Sequence, residues 1–187
     1  MRRISTIGLA YRLCQLSILL LILFASVFIC GIGYTLVQAD AFPQLVINDL
    51  FDAGYGLGGI KWCASCTGER FMHFSDVQLT MKLWLLLRAT LFFALAFLIV
   101  LALKKVLLSI RDTATFYRAN YRSFSAIGNY GFMISFLSAF NFYVQGDQSH
   151  FNLSIPFLEL GFSLGSWVLA DIFWEGKLLL DDNQSII

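Results

Sequence analysis

Four stretches of the chain are long enough and apolar enough to predict helices that cross a membrane. Such a helix needs about 20 mostly apolar residues to cover the hydrocarbon core of a bilayer. The stretches cover about residues 16–37, 83–103, 126–144 and 155–174. The pattern therefore predicts an all-α integral membrane four-helix bundle that forms a single domain over residues 1–187.

Composition supports a membrane protein and argues against direct nucleic-acid binding. The chain is 58% hydrophobic and only 13% charged, against about 25% charged residues in soluble domains. Its formal net charge is +1, so no global basic field would attract nucleic acid. We expect most of the apolar surface to contact the lipid bilayer.

The placement of Lys and Arg predicts the orientation of the four helices. These residues collect on the cytoplasmic side of membrane proteins. Residues 145–154, between the third and fourth spans, contain no Lys or Arg. Most of the cations lie before the first span and between the second and third spans, at Arg2, Arg3, Arg12, Lys104, Lys105, Arg111, Arg118 and Arg122. We therefore expect both termini inside (N-in/C-in), a long external loop over 38–82 and a cytoplasmic connection over 104–125. A three-span alternative, suggested by Asn129 and Asn141 in the third stretch, would put the C-terminus outside.

The N-terminus also has features of a secretory signal peptide, namely a basic start and an apolar core. Its apolar core is too long for the corresponding region of a signal peptide, and no clear A-x-A cleavage site follows. We therefore expect a retained first helix.

Two motifs resemble those of a bacterial family of small four-span proteins, domain of unknown function 2975. The first is T-F-Y-R-A-N-Y-R-S-F-S-A-I-G before the third span, where Phe116, Asn120, Phe124, Ile127 and Gly128 fill the family pattern. The second is the C-terminal D-I-F-W-E-G-K-L-L-L-D-D-N-Q-S-I-I, with Phe173, Gly176, Leu179, Asp182, Asn183 and Ile187. The sequence departs from the pattern at Phe124, where the family has Leu, and at Ser185.

The resemblance implies a multi-pass protein of the bacterial inner membrane with no established activity. Members of that family resemble partners of a small cytoplasmic helix-turn-helix DNA-binding protein. We accordingly expect a non-enzymatic regulator that senses an envelope or membrane state and holds such a protein at the membrane.

The cytoplasmic connection and the C-terminal tail contain the residues expected to bind this partner or lipid. Aromatic and aliphatic residues recur there at helical spacing among arginines, which is typical of a basic amphipathic helix. The residues are Arg111, Phe116, Arg118, Asn120, Arg122, Asp181 and Asp182. The acidic tail could dock on the basic connection or remain solvated. The alternative for the connection is a helical hairpin that only follows the charge rule.

Cys63 and Cys66 form a C-A-S-C motif in the predicted external loop. A disulfide persists in the oxidising envelope, so the pair is expected to form a structural or redox-sensing disulfide. The alternative is a redox protein, but quinone-coupled disulfide-generating proteins require a second external cysteine pair, and Cys14 and Cys30 lie in or beside the first span. A zinc site with His73 and His150 would lack any standard spacing.

Arg88 and Glu159 are charges inside predicted spans, at matching depths. An ionised group in the bilayer is costly unless it is paired, so we expect an ion pair between the second and fourth helices. The alternative is a small transporter that uses this pair as its site. Gly161 and Gly165 form a G-x-x-x-G motif whose expected role is helix packing, with a homo-oligomer interface as the alternative.

The chain lacks the motifs of the common enzyme and nucleotide-binding classes. The Gly-rich stretch over 52–59 lacks the Lys-Ser/Thr of a phosphate-binding loop, and neither H-E-x-x-H nor a nucleophile elbow occurs. We therefore expect no enzymatic activity, no cofactor and no metal.

Overall fold

The computed structural model describes residues 6–38, 45–48, 60–62, 71–73, 78–111, 118–145 and 148–184. Within these ranges the chain forms four helices and five short strands. In chain order they are α1 (Thr6–Val37), β1 (Leu45–Asn48), β2 (Ile60–Trp62), β3 (Phe71–His73), α2 (Leu79–Arg111), α3 (Arg118–Ala139), β4 (Phe140–Gln145), β5 (Gln148–Leu153) and α4 (Phe157–Gln184).

Three of these helices, α1, α2 and α4, are long and apolar enough to cross a membrane. Neither α1 nor α2 contains proline, aspartate or glutamate, so no residue breaks the helix or places a carboxylate in the hydrocarbon. Many of their large apolar side chains point away from the rest of the chain and are exposed. This is the surface expected of a multi-pass membrane protein, whose outward side chains contact lipid.

The helices extend beyond the predicted spans. The first predicted span ends with α1 at Val37, but α1 already begins at Thr6. The second helix covers Leu79–Arg111 rather than 83–103 alone. The fourth begins at Phe157, directly after Pro156, and continues to Gln184. A hydropathy pattern detects only the part of a helix in the hydrocarbon, whereas backbone hydrogen bonding continues into the polar layers.

The end of the third predicted span was wrong, because residues 140–144 form a strand. The helix α3 ends at Ala139, and β4 pairs with β5 in an antiparallel hairpin from Phe140↔Leu153 to Gln145↔Gln148. The sequence F-N-F-Y-V-Q alternates apolar and polar residues at several positions, a period of two that favours a strand. Ser154 then donates its N–H to the carbonyl of Ala139, 3.0 Å away, and ties the end of the hairpin to the end of α3.

Part of the segment predicted as a long external loop also forms strands. β1 lies between β2 and β3 in a three-stranded antiparallel sheet. Val46 pairs with Lys61 on one side and with His73 on the other. Cys63 and Cys66 lie outside the described residues, so their disulfide stays a prediction.

The described part of the predicted cytoplasmic connection belongs to two long helices. Residues 104–111 are the last turns of α2, and Arg118 begins α3. Phe116 lies outside the described residues. The helical structure of these two ends does not show the amphipathic helix expected over 104–125, which stays a prediction.

The chain divides into two compact units, each of which contains parts of several helices. The first unit contains the described parts of Met1–Ile22, Ala94–Ile134 and Phe157–Ile187. The second contains those of Leu23–Phe93 and Ser135–Pro156, and therefore both small sheets. In the second unit Phe28 of α1 packs edge-on against Phe93 of α2, with ring centroids 6.0 Å apart.

Candidate functional site: the contact between α3 and α4

The two segments that carry the family-like motifs pack against each other in the first unit. Phe124 of α3 stacks on Phe173 of α4, with ring centroids 5.1 Å apart and an interplanar angle of 14°. Tyr121 lies beside Trp174 at 5.3 Å. These aromatic contacts hold the first turns of α3 beside the middle of α4.

Further along, the two helices approach closely because α3 has glycines at the contact. A Cβ placed on Gly128 would lie 2.5 Å from the Cδ1 and Nε1 atoms of Trp167 and 3.1 Å from the carbonyl oxygen of Ser163. A Cβ on Gly131 would lie 2.7 Å from the hydroxyl of Ser163. Small residues at such positions let helix backbones approach in membranes.

The order of these contacts shows that α3 and α4 are antiparallel. As the residue number rises along α3 from Tyr121 to Gly131, the contacted residue in α4 falls from Trp174 to Ser163. A chain that reverses through the β4–β5 hairpin produces this arrangement.

Polar groups at the contact are hydrogen-bonded. Trp167 donates its Nε1–H to the Oδ1 of Asn129, 3.1 Å away, and this bond joins the two helices. Ser163 is completely buried, and its hydroxyl donates to the carbonyl of Glu159 at 2.8 Å. A buried hydroxyl satisfied by its own helix does not add an unpaired polar group to the contact.

One residue of α3 that we expected on a binding surface is buried. Asn120 is only 1% exposed, so its side chain lies inside the protein and not on a surface open to a partner. Arg122, two positions further, is exposed. Arg118 is the first residue of α3.

The C-terminal end of α4 extends beyond the start of α3. Trp174 lies beside Tyr121, which is only three residues from the start of α3, whereas α4 continues ten residues past Trp174 to Gln184. At about 1.5 Å per residue, α4 extends roughly 10 Å beyond α3. The side chains of Leu178, Leu179, Leu180, Asp181 and Asp182 on this projecting end are exposed.

Within the projecting end, Lys177 and Asp181 form an ion pair one helical turn apart. The Nζ of Lys177 lies 2.7 Å from the Oδ2 of Asp181. Both side chains are partly exposed, so the pair adds only a few tenths of a kcal/mol to helix stability. The acidic end is therefore held in a helix, and the side chains of Asp181 and Asp182 are exposed.

A second contact in the first unit brings the start of α1 beside the end of α2. The Nζ of Lys104 lies 5.3 Å from the centre of the Tyr11 ring, a cation–π contact. The next residues along each helix, Arg12 and Lys105, are exposed. A four-span topology with Lys and Arg on the cytoplasmic side predicts this accumulation of cations at one end of the helices.

The expected ion pair and metal chemistry concern other residues. Arg88 is buried in α2 and belongs to the second unit, whereas Glu159 lies in the first turn of α4 in the first unit. Their ion pair stays a prediction. Among the described residues no group of three or more His, Cys, Asp or Glu could hold a metal ion, and Cys14 and Cys30 are free thiols.

Sequence reasoning placed helix packing on the wrong small residues. Gly161 and Gly165 are exposed, and a Cβ on either would have no atom within 4 Å. The side of α4 that is buried instead contains Ser163, Ser166 and Ala170. Their spacing of three and four residues was a signal in the sequence, but serine is a weaker marker of packing than the G-x-x-x-G motif. The role of Trp167 was missed altogether.

Comparisons of the chain with known protein families, with curated proteins and with solved structures found no match. The functional argument therefore depends on the residues and contacts described above.

Proposed function

We propose that this protein is a non-enzymatic regulator of the bacterial inner membrane that binds a cytoplasmic helix-turn-helix DNA-binding protein. It crosses the bilayer four times, with both termini in the cytoplasm, and acts by holding its partner at the membrane. The observation that carries the proposal is the projecting end of α4, where exposed leucines are followed by Asp181 and Asp182.

The surface of α3 supports its role as the third of the four spans. Its buried residues include polar ones, such as Ser135 at 2% exposure, beside Ile127 and Ile134, whereas Phe132, Met133 and Phe136 are exposed, the last at 60%. A helix with polar groups inward and large apolar groups outward suits a lipid environment. In addition, α3 lies alongside α4, which is apolar enough to cross the membrane. The polar side chains lower the average hydropathy of such a span, and the membrane tolerates them because they face neighbouring helices and not lipid.

The projecting end of α4 has the chemistry of a contact for a DNA-binding domain. α4 has 28 residues and is about 42 Å long at 1.5 Å per residue, against a hydrocarbon core of about 30 Å. In the proposed orientation, this extra length carries its last turns into the cytoplasm. DNA-binding domains are basic, so Asp181 and Asp182 attract their surface while the neighbouring leucines add apolar area.

Binding at this end would compete with DNA. A carboxylate pair that occupies the basic surface of the partner takes the place of DNA phosphates, and the membrane anchor removes the partner from the chromosome. Exposed Arg111 and Arg122 provide a second set of charges for acidic groups on the partner.

An affinity pull-down of the tagged, detergent-solubilised protein from its own cells, read by mass spectrometry, tests the proposal. We expect recovery of a small helix-turn-helix protein. The variant Asp181→Asn with Asp182→Asn should lose it, as should Arg118→Glu with Arg122→Glu. A matched control is Asp171→Asn with Glu175→Gln, which removes two exposed carboxylates from an earlier part of α4 and should keep the partner.

Three results would contradict the proposal. Recovery of the protein alone would show that it binds no such partner. Recovery of envelope thiol proteins would instead favour a redox role for Cys63 and Cys66. Equal loss of the partner in the control would show that charge in general, rather than the projecting end, holds it.

A further inference from the structure

The contact between Tyr11 and Lys104 marks a cationic site at one end of α1 and α2. Lys104 is held over the Tyr11 ring at 5.3 Å, and Arg12 and Lys105 are the adjacent exposed residues. Neither helix contains aspartate or glutamate. The charge of these three cations is therefore not balanced by any carboxylate of the two helices that carry them.

The position of these cations along the helices matches the edge of the hydrocarbon core. At 1.5 Å per residue, Arg12 lies about 14 Å from the middle of α1, and Lys105 lies about 15 Å from the middle of α2. The hydrocarbon extends about 15 Å from the centre of the bilayer. The backbones of both residues therefore fall at the edge of the headgroup layer, from which long Arg and Lys side chains reach lipid phosphates, and Tyr11 falls where tyrosines are enriched at membrane interfaces.

Exposed leucines continue from each cation towards the membrane centre. Leu16 and Leu19 follow Arg12 at four and seven residues, so they share its side of α1, and both are exposed. On α2, the exposed Leu98 lies seven residues, two turns, from Lys105. Each helix thus presents a cation at headgroup depth above an apolar surface for an acyl chain.

We propose that Arg12, Lys104 and Lys105 bind the phosphate of an anionic phospholipid such as phosphatidylglycerol, with its acyl chains packed on Leu16, Leu19 and Leu98. The occupant is a lipid because the site combines clustered cations at phosphate depth with exposed leucines that only a molecule with long apolar chains can cover. A bound anionic lipid offsets part of this positive charge and holds α1 beside α2. This site is separate from the end of α4 and does not depend on the cytoplasmic partner.

The test is a titration of the full-length protein in detergent with dioleoyl-phosphatidylglycerol or dioleoyl-phosphatidylcholine, with bound lipids counted by native mass spectrometry. We expect preferential binding of phosphatidylglycerol. Arg12→Gln with Lys105→Gln should weaken this binding about thirtyfold, since each cation near an anionic lipid contributes about a fivefold gain in affinity.

Two control variants keep the result interpretable. Lys61→Gln with Lys177→Gln removes the same charge from β2 and α4 and should keep the preference. Arg12→Lys with Lys105→Arg should also keep it and, by its elution from a size-exclusion column, shows whether substitution at these positions still permits folding. An excess of glycerol 3-phosphate, which has the charge without acyl chains, should displace no lipid.

Three outcomes would overturn the proposal. The wild-type protein could bind both lipids equally, or the two charge-removing variants could lose phosphatidylglycerol equally, which would indicate general attraction of anions. Displacement by glycerol 3-phosphate would identify a site for a soluble phosphate compound. None of these outcomes affects the pull-down test of the α4 end.

Discussion

Gly128 of α3 lies directly against the indole of Trp167 in α4, so close that a Cβ on Gly128 would be 2.5 Å from two atoms of the ring. The indole cannot move freely, because its Nε1–H is donated to Asn129 and its ring also packs against Phe132 at 5.9 Å. The backbone carbonyl of Ser163 closes the other side. This glycine therefore determines how closely the two helices approach.

The first prediction is that Gly128→Ala destabilises the protein by about 1–3 kcal/mol, the usual cost of forcing an extra carbon into a packed contact. The measurement is the free energy of unfolding in detergent, or the midpoint of thermal unfolding. The matched control is Gly161→Ala in α4, where the added Cβ meets open space. That substitution should be neutral or stabilise by up to about 1 kcal/mol, because alanine favours helix. Equal effects of the two substitutions would contradict the close approach.

The second prediction concerns the stacked rings of Phe124 and Phe173. A double-mutant cycle with Phe124→Leu and Phe173→Leu should give a coupling free energy of about 0.5–1.5 kcal/mol, the usual range for an aromatic pair. The same cycle with Phe124→Leu and Phe157→Leu, where Phe157 is exposed at the start of α4, should give no coupling. A coupling near zero for the first pair would mean that the motif segments do not contact each other in solution.

The third prediction is that α3 crosses the membrane. With all native cysteines replaced by serine, Ser149→Cys in the β4–β5 hairpin should react in intact spheroplasts with a maleimide that cannot cross membranes. Asp182→Cys near the end of α4 should react only after the membrane is opened. Protection of Ser149→Cys together with reaction of Asp182→Cys from outside would favour three spans without α3, and would also place the proposed partner site on the wrong side.

The fourth prediction tests the hairpin that replaced the end of the third predicted span. Asn141 and Asn152 are directly opposite in the antiparallel register, so Asn141→Cys with Asn152→Cys, in the cysteine-free background, should form a disulfide on mild oxidation. The control pair, Asn141→Cys with Phe151→Cys, is shifted by one residue, which puts the two side chains on opposite faces. A helix continuing through 140–144 would leave both pairs reduced.

The extent to which the sequence predicted the site varies from residue to residue. The contact between Phe124 and Phe173 joins two motifs that the resemblance had singled out, so their importance, although not their partnership, was visible in the sequence. The packing glycines were not identified. Gly161 and Gly165 have the better-known spacing but face open space, whereas Gly128 is buried because Trp167 happens to lie opposite.

The sequence by itself determined the membrane character of the protein and the approximate positions of α1, α2 and α4. Contact with lipid requires long apolar runs, and this requirement can be read from composition without knowledge of any neighbour. Only the tertiary structure decided which residues of α3 face α4, where α3 gives way to the β4–β5 hairpin, and how far α4 projects. These features depend on side chains that are distant in the sequence, because a small or polar residue is buried, and a short alternating segment becomes a strand, only when a suitable partner lies beside it.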